Sequence, residues 1–332
     1  MTTPAVAPWI AAQATQLLTQ RGHAWLLAGP SGLGQYSLAL ALVRTWLCDQ
    51  PSAQGACGVC GSCHAIDVRT SADLCVLMPE TVMLALGWPL GEKAQADIDD
   101  KKRKPSKEIR VDAMRDAVEF SQRTSARGRG KAVLVFPAER MNNVTANALL
   151  KTLEEPPGDV KFVLASDAGH LLLPTIRSRC LGHALVWPDA TRALIWLEAQ
   201  GLGAAQARVM LRAAGGRPED ALLLGQSGRA QMWGDLPQAM ARGEVSLFRD
   251  WTPAQMVDAL HKLCHDVLAV KTGAQPRFFE ATDLPKGGSF ALLTAWSRAL
   301  AATTRTVEHP FNGGLMLEAL VSQAQTALNS KP

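Results

Sequence analysis

Four of the seven cysteines lie close together in the chain, and thiolates grouped in this way are good ligands for a metal ion. They are Cys48, Cys57, Cys60 and Cys63. The paired C-x-x-C spacing, with glycines that let the chain turn tightly, matches a tetrahedral zinc site. A closed set of four thiolates leaves no position open for water. We therefore interpret the segment as a structural zinc site and not as a catalytic one.

Other chemistry is open to the same four thiols. Four cysteines can ligate an iron–sulfur cluster, and a C-x-x-C pair can form a disulfide or a redox-active dithiol. Residues 1–9 lack the charged and apolar regions of a secretory signal, and no apolar run approaches the ~18 residues of a membrane span. We therefore expect a cytoplasmic protein whose thiols stay reduced, which disfavours disulfides.

A glycine-rich segment is the second group of residues with recognisable chemistry. The segment 29–34, Gly-Pro-Ser-Gly-Leu-Gly, follows an apolar strand pattern and precedes an apolar helical one. It has the outline of the motif G-x-x-x-x-G-K-[ST], whose lysine reaches the β- and γ-phosphates and whose hydroxyl binds Mg²⁺. Gly29 and Gly34 have the right spacing, but Gln35 replaces the lysine and Tyr36 the hydroxyl residue. The frame of a phosphate site is present without these two groups.

The end of a buried strand over 131–136 lacks the acidic residues that would complete such a site. In an ATPase with this loop, the strand ends in Asp-Glu; these residues hold Mg²⁺ and orient the attacking water. Here the strand ends in Phe136 and Pro137, and Glu139 comes too late for either role without a shift of register.

The elements that position these residues alternate between strand and helix up to Pro188. We predict strands over 25–28, 73–78, 131–136, 160–165 and 184–187, and helices over 10–21, 37–47 and 143–154. This alternation predicts a parallel sheet covered on both faces. Asp112 is predicted to cap a further helix, and residues 79–107 are predicted to be irregular, with 97–105 as an exposed charged loop.

Beyond Pro188 the pattern is helical throughout. Short helical patterns fill 189–226, and longer ones are predicted over 253–270, 287–304 and 314–329. A chain of 332 residues is long enough for two or three domains. Its net charge of +4 is compatible with a nucleic-acid partner but does not indicate one.

Several signals coincide in order along this chain. The glycine loop and the four-cysteine insert are followed by Asn147-Ala-Leu-Leu-Lys-Thr-Leu-Glu-Glu-Pro-Pro157 and then by Ser178-Arg179-Cys180. With this set of motifs the chain resembles the clamp-loader branch of the AAA+ family, closely over residues 1 to about 190 and diffusely beyond. The degenerate glycine loop is similar to that of a non-hydrolysing member and not to the ATP-hydrolysing gamma/tau subunit.

The resemblance implies an architecture and a set of partners. A RecA-like AAA+ domain over 1–187, with the zinc insert at 48–63, would be followed by a helical lid domain over 188–228 and a helical collar domain over 229–332. The collar would join gamma/tau and delta subunits in a hetero-pentameric ring. That ring, a component of the DNA polymerase III holoenzyme, loads a sliding clamp onto primed DNA.

The resemblance also assigns roles to individual residues. The phosphate lysine and the Mg²⁺ hydroxyl fall on Gln35 and Tyr36, and the acidic pair on Phe136 and Pro137, so no productive ATP binding is expected. Arg179 falls on an arginine finger that reaches a neighbour's ATP, although it could instead pair with a carboxylate of its own domain. Two alternatives stay open from sequence: an active AAA+ ATPase, and a zinc-containing DNA-binding protein that uses the basic stretch 97–131.

Overall fold

A computed structural model describes residues 6–249, 251–307, 309 and 312–331, and it divides the chain into two compact units, Met1–Pro188 and Asp189–Pro332. Part of the N-terminal segment considered above, residues 1–5, lies outside the described residues. Each unit is described by itself.

The first unit is built on a five-stranded sheet in the order β2-β3-β4-β1-β5, and all its strand pairs are parallel. The strands are β1 (Ala24–Ala28), β2 (Leu74–Leu77), β3 (Lys131–Val135), β4 (Val160–Ser166) and β5 (Leu181–Ala184). The helices are α1 (Pro8–Leu18), α2 (Gln35–Leu47), α3 (Gly61–Asp67), α4 (Glu80–Ala85), α5 (Glu92–Asp99), α6 (Val111–Gln122), α7 (Asn143–Glu154) and α8 (Pro174–Arg177).

Both faces of the sheet are covered, as the sequence pattern predicts. Successive strand side chains point to opposite faces, so Leu26 and Val133 join one cluster with Met114 of α6 and Leu149 of α7. On the other face the ring of Trp25 lies 4.8 Å from that of Trp46 in α2. Burial on both sides explains the continuous apolar runs of β1, β3 and β4.

Three local predictions were wrong. The last strand is β5, not 184–187, where Val186 and Trp187 are largely exposed. Residues 79–107 contain α4 and α5, and the 97–105 segment begins within α5. The residue that precedes α6 is Arg110, and Asp112 lies in its first turn.

The second unit contains only helices among its described residues, and one apolar cluster runs through it from Ala193 to Leu328. The helices are α9 (Ala190–Ala199), α10 (Ala204–Ala213), α11 (Pro218–Gln226), α12 (Ala230–Arg242), α13 (Pro253–Lys271), α14 (Phe290–Thr306) and α15 (Gly313–Asn329). Asp266, fully buried on α13, accepts hydrogen bonds from the backbone N–H groups of Arg277, Phe278 and Phe279 and so fixes the loop before α14.

Candidate functional site

The glycine loop connects β1 to α2 at the carboxyl end of the sheet. Ligands of parallel α/β sheets bind in this position, outside the carboxyl ends of the strands. Gly34 has φ of 102°, a conformation that favours glycine, and its carbonyl accepts from the N–H of Leu38 at 2.8 Å. The chain thus keeps the strand–turn–helix frame that presents backbone N–H groups to a phosphate.

Gln35 fills the inside of this loop. Its side chain is buried, and Nε2 donates to the carbonyl oxygens of Gly29 at 2.5 Å and Pro30 at 2.7 Å. The amide therefore holds the loop in shape from within. It is neutral and turned towards carbonyl oxygens, so it offers no cation to a phosphate group.

Tyr36 belongs to an aromatic cluster with Trp88 and Phe136. The Nε1–H of Trp88 donates to the Tyr36 hydroxyl at 2.8 Å, and the Tyr36 and Phe136 ring centroids are 5.5 Å apart. The guanidinium of Arg69 lies 4.2 Å from the centre of the Trp88 ring. Burial raises the pKa of Tyr36, so its hydroxyl stays protonated and is a poor ligand for Mg²⁺.

Glu139 follows β3, and its carboxylate is already engaged. It accepts from the Ser166 hydroxyl at 2.6 Å and from the backbone N–H of Asp167 at 3.3 Å. These bonds tie the turn after β3 to the end of β4. The carboxylate has a structural partner in the neighbouring strand, which leaves Phe136 and Pro137 at the strand end.

The four cysteines converge, although they are spread over 16 positions of sequence. Their Sγ atoms all lie within 4.8 Å of one another, and those of Cys48 and Cys60 are 3.8 Å apart. Tetrahedral zinc with Zn–S bonds of ~2.3 Å requires sulfur atoms about 3.8 Å apart. The cluster can therefore hold a metal ion, and its donor set fits zinc.

Two helices position these cysteines. Cys48 directly follows α2, and Cys60 precedes α3, where its Sγ accepts from the N–H of Cys63 at 3.4 Å. Further N–H groups point at the sulfurs, from Gln50 and Cys57 to Cys48 and from Asp49 to Cys60. Burial opposes ionisation of Cys60, but the hydrogen bonds to its sulfur together outweigh burial and lower its pKa to about 7. Burial raises the pKa of Cys63 to about 12.

Arg179 pairs with a carboxylate of its own unit. Its Nε donates to Glu154 Oε1 at 2.8 Å, a second guanidinium nitrogen contacts the same oxygen, and Nη1 donates to the Thr175 carbonyl at 2.9 Å. The pair is partly open to solvent, since the side chains of Arg179 and Glu154 are 29% and 48% exposed. With His23 it lines an open depression at the surface.

Several basic side chains of the 97–131 stretch are occupied within the chain. Arg103 binds the buried Glu80, Arg123 pairs with Glu119, and Lys131 is buried and donates to the Phe120 carbonyl.

Sequence reasoning missed two residues of the glycine-loop site, Arg69 and Trp88. They come from segments far from the loop in sequence, and no spacing rule connects them to it. The available signal was a tryptophan between Gly87 and Pro89, in a stretch predicted to be irregular.

Comparison with solved structures defines the class of fold. The chain superposes on a DNA polymerase III gamma subunit-related protein from Thermotoga maritima with a TM-score of 0.52 at 18% identity, covering 96% of this chain and 99% of that one. At this identity the match concerns the fold alone. It shows an α/β fold with a parallel sheet and a large share of helix.

Comparison of sequences gives the family. Residues 11–186 match the model described as "DNA polymerase III, delta subunit". The chain is 41% identical to DNA polymerase III subunit delta' of Pseudomonas aeruginosa over 57% of this chain and 52% of the relative. It is 34% identical to the Escherichia coli K12 subunit delta' over 74% of this chain and 67% of the relative. This chain therefore belongs to the DNA polymerase III delta' family.

The match covers a limited share of these relatives. The alignments span about half of the Pseudomonas protein and two thirds of the Escherichia protein.

Among the described residues no helix combines the length and apolar character required to cross a membrane.

Proposed function

We propose that this chain is a non-hydrolysing subunit of a bacterial DNA polymerase III clamp loader. In this role it helps to place a sliding clamp on primed DNA and acts through its neighbours' ATP sites instead of its own. On this proposal it is a cytoplasmic component of the polymerase holoenzyme and has no enzymatic activity as an isolated chain.

One observation carries the proposal: the glycine-loop site is filled by the chain's own side chains. Gln35 is bonded to the loop carbonyls, and Tyr36 packs against Phe136 where the Mg²⁺ ligands of an ATPase belong. Phosphoryl transfer depends on cationic and metal stabilisation of the developing charge, and these positions offer none.

Arg179 supports the second half of the proposal, its action in trans. It lies in Ser178-Arg179-Cys180 just before β5, held by Glu154 at a half-exposed surface. An exposed pair of this kind contributes ~0–1 kcal/mol, so a neighbour's γ-phosphate can compete for the guanidinium at little cost. In that position Arg179 serves as an arginine finger.

The remaining parts of the proposal concern assembly. The first unit is the AAA+ domain, with structural zinc at Cys48, Cys57, Cys60 and Cys63. Residues 188–228 form the lid and 229–332 the collar that joins gamma/tau and delta subunits in a five-membered ring. The zinc would hold the short insert in place by closing the four-thiolate shell, since a segment of this size cannot build a core of its own.

Nucleotide binding by the purified chain tests the proposal. Isothermal titration with MgATP should give no saturable binding in the micromolar range, and the chain should not hydrolyse ATP. A gamma/tau subunit titrated in parallel is the positive control. Micromolar binding with Mg²⁺-dependent turnover would assign an active ATPase instead.

A further inference from the structure

A continuous line of contacts links the cysteine cluster to the glycine-loop site. Cys63 lies on α3, and Arg69 follows the end of that helix. The Arg69 guanidinium stacks on Trp88, whose Nε1–H donates to the Tyr36 hydroxyl. Tyr36 lies in the first turn of α2, and the residue after α2 is Cys48. The line of contacts therefore returns to the cluster.

The backbone of Arg69 is fixed to α3. Its N–H donates to the Ile66 carbonyl at 3.1 Å, and the N–H of Thr70 donates to the Ala65 carbonyl at 2.8 Å, which closes the helix end. Arg69 has φ of 64°, in the left-handed region where glycine is the usual helix terminator. An arginine is disfavoured there by its backbone, which points to a role for its side chain.

A second clamp holds α3 against α2. Arg44 of α2 and Asp67 of α3 form a two-pronged ion pair, with N···O distances of 2.9 and 3.2 Å and little exposure of the arginine. Bidentate pairing of this geometry fixes both distance and orientation. The position of Arg69 thus depends on α3, which is attached to α2 by this pair and by the cysteines.

We infer that Arg69 and Trp88 are positioning residues that hold Tyr36 in the glycine-loop site, and that the cysteine cluster sets the position of Arg69. The inference rests on the proposed function, in which this site takes no nucleotide. It gives the cluster a task beyond stabilising its own insert: a metal bound by the four thiolates would keep the glycine-loop site closed through the end of α3 and the packed side chains of Arg69, Trp88 and Tyr36.

Hydrogen exchange of the full-length, metal-loaded chain tests this inference. Arg69→Gly suits the backbone and removes the stacked guanidinium, and Trp88→Phe keeps a ring but removes the donor to Tyr36. Both changes should speed amide exchange over residues 31–38 by about threefold to tenfold. Arg69→Gly loses the cation–π contact and the guanidinium hydrogen bond to the Leu86 carbonyl, and Trp88→Phe loses the hydrogen bond to Tyr36. Exchange in the buried strands β3 and β4 of the same samples reports that the first unit remains folded.

Lys101→Gly is the matched control. Lys101 has φ of 56°, so the substitution relieves the same kind of backbone strain, but its side chain is exposed and lies outside the glycine-loop site. It should leave exchange over residues 31–38 unchanged. If Arg69→Gly behaves like Lys101→Gly, Arg69 does not hold the loop.

Metal removal tests the link to the cysteines. A chelator should speed exchange over residues 31–38 in the wild type and have little further effect there in Arg69→Gly. An equal response in both proteins, or none in the wild type, would overturn the inference.

Binding of a fluorescent ATP analogue, measured on the same samples, separates this inference from the proposed function. Tight binding by the wild type contradicts the proposed function, whereas the exchange pattern decides the role of Arg69.

Discussion

At the scale of single residues, Gln35 and Tyr36 distinguish this glycine loop from the phosphate-binding motif, which has a lysine and a Ser or Thr at these positions. Gln35 supplies two hydrogen bonds to the loop carbonyls and no charge. Tyr36 exchanges a metal-binding hydroxyl for aromatic packing against Phe136. Tyr36 lies in α2 and Phe136 directly follows β3, and their rings pack together. Each of these two residues therefore supports the position of the other. A reversal at one position therefore leaves the others in place.

Restoring the lysine alone is expected to fail. Gln35→Lys supplies a cation, but Tyr36, Phe136 and Pro137 still provide no ligand for Mg²⁺ and no group to orient water. A phosphate-release assay on the purified variant should give the same background rate as the wild type. Appreciable Mg²⁺-dependent hydrolysis would mean that acidic groups outside these positions serve the site.

Glu80 gives the first unit a dependence on acid pH. Its carboxylate is held by Arg103 and by the N–H of Ser106, which together lower its pKa against the opposing effect of burial. Because the folded pKa lies below the unfolded one, the stabilisation is complete above the unfolded pKa of ~4.3 and is lost as the pH falls through the folded value. Glu80→Gln should therefore be less stable than the wild type near neutrality, and the difference should shrink below about pH 4.

Urea unfolding at a series of pH values measures this difference. Glu92→Gln, an exposed glutamate in the first turn of α5, is the control and should follow the wild type throughout. A gap between Glu80→Gln and the wild type that stays constant down to acid pH would show that the carboxylate charge does not contribute.

At the scale of elements, the sequence predicted what local pattern determines. The strands β1, β3 and β4 and helix α7 were predicted close to their observed bounds, because continuous apolar runs and the Pro156-Pro157 stop leave little choice. Helices α4 and α5 were missed because their support is tertiary: buried Glu80 binds Arg103, and Trp88 reaches Tyr36. The edge strand β5 was misplaced because Gly182 and His183 give it no apolar signal.

The candidate sites also divide into features that the local sequence predicts and contacts that only the fold creates. The four cysteines and the altered glycine loop could be found from spacing alone, since both motifs are local. The contacts of Arg69 with Trp88, and of Arg179 with Glu154, join residues distant in sequence, and no periodicity reports them.

Metal analysis tests whether the cysteine cluster holds a metal ion that stabilises helix α3. We expect about one zinc ion per chain in the wild type, and Cys57→Ser should lose it, since three thiolates leave the tetrahedral shell open. Loss of the metal should also remove amide protection from α3, because binding energy is folding energy for such an insert. Cys75→Ala, a cysteine of β2 outside the cluster, should retain full metal content. Iron in place of zinc would identify an iron–sulfur centre.

At the scale of the whole molecule, the two units differ in their secondary structure. The first places its candidate sites around one parallel sheet, and the second is an all-helical assembly over its described residues with one continuous apolar cluster. Family membership rests mainly on the first unit, since the matched model ends at residue 186. The lid and collar roles of the second unit stay proposals.

On the proposed function, this chain has no working ATP site of its own and serves a neighbour's site through Arg179. The most direct measurement is the DNA-stimulated ATPase rate of a reconstituted clamp loader that contains Arg179→Ala, compared with the exposed neighbour Arg177→Ala. Loss of a finger slows its site by ~10³-fold or more, so total turnover should fall by the share of that one site while the ring still assembles. Wild-type turnover in an assembled ring with Arg179→Ala would contradict the claim.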